Sequence, residues 1–209
     1  MTRRPDTRWL RRGLMAMALA GGAVAAAAVL GAFRDSATAV DLPPVARQMS
    51  AFTKQAPLNA NAVPASVKQF EDSVTGRAGY GAARGDQVRL LARGLGRHGV
   101  SVYGFPTVGG AVCFVVDEAT YVASCAPRFH ADNGNVVYGT YSGLGTPQTV
   151  MGVAPDGVKA VSVVVNGAAT SATLRNNVFF WQAPDGVQAS DITALRVRQA
   201  NGTILTADL

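Results

Sequence analysis

Two cysteines and two histidines limit the chemistry open to this 209-residue chain. Cys113 and Cys125 enclose a stretch able to fold back on itself. If Glu118, Ala119 and Thr120 make the turn, Asp117 faces Tyr121, Val115 faces Ala123 and Cys113 faces Cys125. Directly opposed residues of an antiparallel pair have Cα atoms about 4.5–5.5 Å apart, within disulfide reach. A structural disulfide is therefore expected, and closing so short a loop stabilises by about 3 kcal/mol. A buried reduced pair and metal ligation are the alternatives. Zinc takes about four ligands, and His98 and His130 are the only imidazoles, so neither a metal site nor a cofactor is expected.

Catalytic raw material is thin. Beyond Val40 the chain carries two Glu, nine Asp and the two His. His130 lies near Asp132 in a polar loop, and Ser142 sits in the Gly-rich loop that follows. An exported hydrolase centred on residues 128–145 could combine Ser142 and His130 with Asp132 or Asp117. Gly139-Thr140-Tyr141-Ser142-Gly143 places the serine one position too late for a nucleophile elbow. Gly94-Leu95-Gly96-Arg97-His98-Gly99 matches a dinucleotide fingerprint, which requires a strand before it and a helix after it. The expected order here is the reverse, so these glycines read as a helix stop. Arg84-Gly85-Asp86 is an integrin-type tripeptide of a kind that recurs by chance. Asp156 and Asp185 could hold calcium only with further converging oxygens, and they read as turn residues.

A third candidate is electrostatic. Asp86 is placed to cap a helix with Val88, Leu91 and Leu95 facing inward and Gly96 or Gly99 ending it. On such a helix Arg89, Arg93 and Arg97 would form a basic stripe. That stripe is either an ordinary solvated face or a contact for anionic lipid headgroups or acidic wall polymer.

The elements that must position these residues fall into an α+β order: an N-terminal transmembrane or signal helix, a short helical region, then a mainly antiparallel β-sandwich-like domain. Pro43-Pro44 opens a short helix with Val45, Met49 and Phe52 at helical spacing. A second helix is expected from Pro64 to Ser73, with Val67, Phe70 and Val74 on one stripe. From Val100 onward, strands are expected at 100–105, 111–117, 121–125, 135–141, 148–153, 159–165, 169–174, 177–182, 192–199 and 203–207. Turn signals separate them at the spacing of an all-β sandwich or barrel. Asn166-Gly167 and Asn201-Gly202 have the composition of type I′ hairpin turns. Ala154-Pro155-Asp156-Gly157-Val158 recurs as Ala183-Pro184-Asp185-Gly186-Val187 twenty-nine residues later. The repeat reads as two equivalent loops at one end of a sandwich, or as a duplicated hairpin.

Topology comes from the N-terminus. Gly13 to Phe33 is a run of twenty-one uncharged residues behind Arg3, Arg4, Arg8, Arg11 and Arg12. As a helix it would be roughly 31 Å long, about the thickness of a hydrocarbon core. The arginines keep the first dozen residues inside and send the rest out. The expected organisation is a cytoplasmic tail (1–12), a transmembrane helix or signal core (13–33), a tether (34–65), short helices (66–99) and a β domain (100–209). The run is rich in Ala, and Ala37-Thr38-Ala39 supplies a cleavage site. The alternative to a single-pass protein is thus secretion after cleavage near Ala39, and Arg11-Arg12 also fits twin-arginine export.

The formal charge of +6 suggests nucleic acid, but residues 1–39 supply +4 of it through six Arg and two Asp. The basicity is mainly topogenic, so nucleic acid is not an expected partner. Val112-Cys113-Phe114-Val115-Val116, the Ala-Pro-Asp-Gly-Val turn, Asn177-Val178-Phe179-Phe180 and Asn201-Gly202-Thr203-Ile204 together resemble exported or membrane-anchored proteins of high-GC actinobacteria with a small C-terminal β domain. That resemblance implies no activity. The expected function is therefore a cell-envelope binding or structural β domain that acts without catalysis, with the exported hydrolase as the alternative.

Overall fold

The computed structural model describes residues 42–77, 79–117, 122–142 and 148–209, apart from the Asp132 side chain. The segment 13–33 and the Ala37-Thr38-Ala39 site lie outside them. Among the described residues no helix is long and apolar enough to cross a membrane. They form mostly antiparallel β-sheet with a few short helices.

Three helices come first: α1 (Pro44–Arg47), α2 (Ser50–Thr53) and α3 (Ala65–Val74). Val45, Met49 and Phe52 are buried, so the stretch expected as a tether contributes core from Val45 onward. The α3 helix buries Val67, Phe70 and Val74, the stripe read from their spacing.

The first sheet has the order β1-β2-β3-β4, from β1 (Arg89–Leu95), β2 (Val100–Pro106), β3 (Val112–Asp117) and β4 (Val122–Ala126). Its alternating residues divide between two cores, as the period of two in a strand requires. Tyr103, Phe105, Cys113 and Val115 meet Val67, Phe70 and Val74 of α3. Val102, Val112, Phe114 and Val116 meet α1, α2 and the second sheet.

The expected third helix is corrected here. Asp86 belongs to a 3-10 turn (Gly85–Gln87), and the residues after it form the edge strand β1. Register shifts at Leu90–Ala92 and Ala92–Leu95 break the alternation. The bulges leave Leu91 and Ala92 buried side by side, then Arg93 and Gly94 exposed side by side, before Leu95 is buried again, which mimics a helical stripe.

The second sheet is β5-β6-β10-β9, from β5 (Val137–Tyr141), β6 (Thr149–Val153), β9 (Thr173–Arg175) and β10 (Val178–Gln182). The third is β12-β11-β7-β8, from β7 (Val158–Val165), β8 (Ala168–Ser171), β11 (Ile192–Gln199) and β12 (Ile204–Asp208). Met151, Val153, Val178 and Phe180 face the first sheet, whereas Val150, Phe179 and Trp181 share a core with Val161, Val163, Leu195 and Val197 of the third. A sheet buried on both faces explains the uninterrupted apolar run Val178-Phe179-Phe180-Trp181. Its centre is too tight for a side chain at Gly152, where a Cβ would sit on the Val137 carbonyl oxygen and 2.8 Å from the Phe179 ring.

Strands β5–β8 and β9–β12 follow the same path. Each makes an antiparallel pair in the second sheet, crosses through an Ala-Pro-Asp-Gly loop, and makes another pair in the third. β6 lies beside β10 and β7 beside β11, so an approximate two-fold relates the halves. Met151 pairs with Phe180, the residue that the twenty-nine-residue offset of the loops also equates with it. The two Pro-Asp-Gly loops are therefore equivalent crossovers between sheets.

The hairpin turns differ. Asn166 and Gly167 both have positive φ (49° and 80°), as a type I′ turn requires. In the second, only Gly202 does (86°), while Gln199 N–H donates to the Thr203 carbonyl and closes a three-residue loop.

Candidate functional site

The cysteines occupy the positions expected of them. Cys113 pairs with Cys125 and Val115 with Ala123 across β3 and β4. The Cys113–Cys125 disulfide joins Cα atoms 4.0 Å apart, and Cys113 is fully buried beneath α3. It is structural: it ties the hairpin that floors the α3 core.

The arginine stripe is dispersed by the strand geometry. Arg89 is only 4 % exposed. Its Nη1 and Nη2 donate to the Gln87 carbonyl (2.5 Å) and to Gln87 Oε1 (3.1 Å), and its guanidinium lies 5.7 Å from the centre of the Phe52 ring. Burial lowers its pKa from the ordinary arginine value, opposed by the charge of Asp86. Arg89 therefore braces the core and is not a surface contact. Arg93 is exposed on β1, and Arg97 lies in the turn beyond it. Arg175 of β9, which carried no signal in the sequence, joins them, because its Nη2 donates to the Arg93 carbonyl at 2.7 Å. The basic surface is thus Arg93 and Arg175, built from two sheets, with Arg97 four residues farther along in the turn.

Arg97 also borders an open cleft of about 570 Å³ walled by His98, Ser142, Gln148, Asp185 and Gln188. Its Nη1 lies 3.1 Å from Asp185 Oδ1, with the two side chains 59 % and 85 % exposed, and its backbone N–H donates to Gln182 Oε1 at 3.3 Å. Ser142 lines this cleft and His130 does not. The His130 carbonyl accepts from Asn135 N–H at 2.7 Å, just ahead of β5, whereas Ser142 follows that strand. His130 instead accepts from Arg128 Nε, and Asp117 accepts from Ser66 Oγ at 2.8 Å. Among the described residues no cluster of His, Cys, Asp or Glu could hold a metal ion.

The two Pro-Asp-Gly loops carry the same polar apparatus in different states. In the first, Asp156 Oδ1 accepts from Ser50 N–H (2.9 Å) and Asn177 Nδ2 (2.8 Å), and Asn177 Oδ1 accepts from Ala51 N–H (2.9 Å) and Ser50 Oγ (3.2 Å). Asn177 Nδ2 also donates to the Ala154 carbonyl at 2.9 Å. A four-residue helix cannot satisfy its own first N–H groups, and Met49 provides no side-chain cap, so these distant side chains cap α2. Burial works to raise the Asp156 pKa, but the bonds from Asn177 and Ser50, with the charge of Lys54, lower it overall. In the second loop, the twenty-nine-residue offset maps Asn177 onto Gln148. The backbone agrees: Ala154 N–H donates to the Asn177 carbonyl and Ala183 N–H to the Gln148 carbonyl, both at 2.8 Å. Asp185 and Gln148 line the open cleft.

Comparison with protein-family models, curated proteins and solved structures finds no match to this chain.

Proposed function

We propose that this chain is an exported, single-pass envelope protein, anchored by residues 13–33, whose outer sandwich-like β domain acts by binding. Its basic surface, Arg93 and Arg175, engages phosphate or carboxylate groups of acidic wall polymer or anionic headgroups. The observation that carries this reading is the bond from Arg175 to the Arg93 carbonyl, which holds two exposed guanidinium-bearing residues together across two sheets. The buried disulfide supports export, since such bonds persist in oxidising compartments.

The test is cosedimentation of the full chain, in detergent micelles, with purified acidic wall polymer and separately with anionic vesicles. Binding to one of them is expected, weakening with salt as the Debye length shrinks from about 10 Å at 0.1 M to about 3 Å at 1 M. Arg93→Glu with Arg175→Glu should abolish it, and unchanged retention of that variant on both supports would sink the reading. Intact mass of the protein from its native envelope tests anchorage: a chain beginning near Met1 supports it, and one beginning near Val40 replaces it with secretion.

A further inference from the structure

We propose that the open cleft beside Asp185 is a second peptide seat, shaped to take a segment of another protein as the first Pro-Asp-Gly loop takes Gln48–Ala51 of its own chain. The first seat reads polypeptide: Asp156 N–H donates to the Gln48 carbonyl at 2.9 Å, Asp156 and Asn177 accept two successive backbone N–H groups, and Asn177 accepts a serine hydroxyl. The second has the same parts in the equivalent place, namely an Ala-Pro-Asp-Gly crossover, a carboxylate and a carboxamide whose backbone carbonyl makes the same bond. No segment of the described chain lies across it as Gln48–Ala51 lies across the first. Only the side chain of Arg97 reaches Asp185, in an exposed ion pair. Such pairs are weak and readily displaced.

The occupant that fits is a peptide with a serine or threonine followed by a small residue, entering a helical turn so that two successive N–H groups remain free. Gln148 is one methylene longer than Asn177, so the bound segment sits slightly farther from the strands. Neither Arg93 nor Arg175 lines the cleft, so this seat stands apart from the basic surface those two form.

The probe is a fluorescently labelled peptide with the sequence of residues 44–55, titrated against the full chain in detergent micelles and read by anisotropy. Saturable binding is expected. Asp185→Ala should weaken it about tenfold or more, the loss expected when a charged acceptor is removed. Arg97→Ala, which vacates Asp185, should tighten it about two- to fivefold. A probe with proline in place of its serine lacks the required N–H and should not bind, whereas Arg93→Ala with Arg175→Ala should bind normally. The proposal is overturned if the probe binds neither the unaltered protein nor Arg97→Ala. It is equally overturned if affinity ignores Asp185→Ala, or responds to Asp156→Ala instead.

Discussion

Replacing Asn177 with alanine measures how firmly the first seat holds the N-terminal helices onto the sheets. The side chain makes four hydrogen bonds: to Ala51 N–H, Ser50 Oγ, the Ala154 carbonyl and Asp156. Ala51 and Ala154 are 2 % and 1 % exposed, so their backbone groups would lose their Asn177 partner without gaining ready access to water. A buried unsatisfied group costs about 1–3 kcal/mol. Asn177 also has a φ of 64°, a conformation that costs alanine about 1 kcal/mol. Together these give a destabilisation of about 3–7 kcal/mol.

Urea unfolding followed by the fluorescence of Trp181, buried in the core between the second and third sheets, provides the assay. Asn177→Gly separates the two contributions, since glycine tolerates the positive φ and should recover about 1 kcal/mol relative to alanine. At the equivalent position, Gln148→Ala removes a side chain from an open cleft and should change stability by less than about 0.5 kcal/mol. Asp156 adds a pH signature. Its folded pKa lies below the ordinary 3.8, so its contribution is complete above that value and is lost as pH falls through the folded pKa. The gap between the unaltered protein and Asp156→Asn should therefore narrow in acid. An Asn177→Gly protein as stable as the parent would refute the reasoning, because the four bonds would then carry nothing.

Three further perturbations have defined outcomes. Cys113→Ala with Cys125→Ala opens a loop of sequence separation 12 and should cost about 3 kcal/mol, seen as a Tm lowered by about 6–12 °C; a loss under about 1 kcal/mol would contradict the loop-entropy account. Burial and then the charge of Asp72, with a smaller push from Asp86, raise the Glu71 pKa above its ordinary 4.5 against the pull of Lys68, and its Oε1 is buried without a hydrogen-bond partner among the described residues. The folded state thus binds this proton more tightly, and stability falls as pH rises from about 4.5 through the raised pKa. Glu71→Gln should unfold at higher temperature than the parent at pH 7 and lose that advantage below pH 4. Gly152→Ala should cost about 3 kcal/mol or more by forcing β5 and the Phe179 ring apart, and normal soluble yield with an unchanged Tm would contradict that packing.

Most strands after Val100 were legible because they alternate cleanly or run apolar between turn residues, and the cysteine register followed from hairpin counting alone. The exception is 169–174, expected as one strand, which divides at Ala172 into β8 of the third sheet and β9 of the second. The strand at Arg89–Leu95 was not legible. Its bulges replace the alternation with an adjacent buried pair and an adjacent exposed pair, and nothing local distinguishes that from a helix face. The error spread to function, because a helix would have aligned Arg89, Arg93 and Arg97, whereas the strand buries the first and separates the other two. Arg175 was invisible for the complementary reason: its partner is a backbone carbonyl 82 residues away, a relation that no local pattern carries.

The Ala-Pro-Asp-Gly-Val repeat shows where such reading stops. Both copies make the same crossover, since turn chemistry is local to the five residues that encode it. What each aspartate does is decided elsewhere. Asp156 meets Ser50, 106 positions earlier in the chain, whereas Asp185 meets the tip of a bulged hairpin through Arg97. Equal sequence with unequal company is what two-fold-related loops acquire when, among the described residues, Gln48–Ala51 is laid across only one of them. The covered loop becomes part of the stability of the domain, and the other keeps its aspartate exposed to solvent, where a second segment can find it.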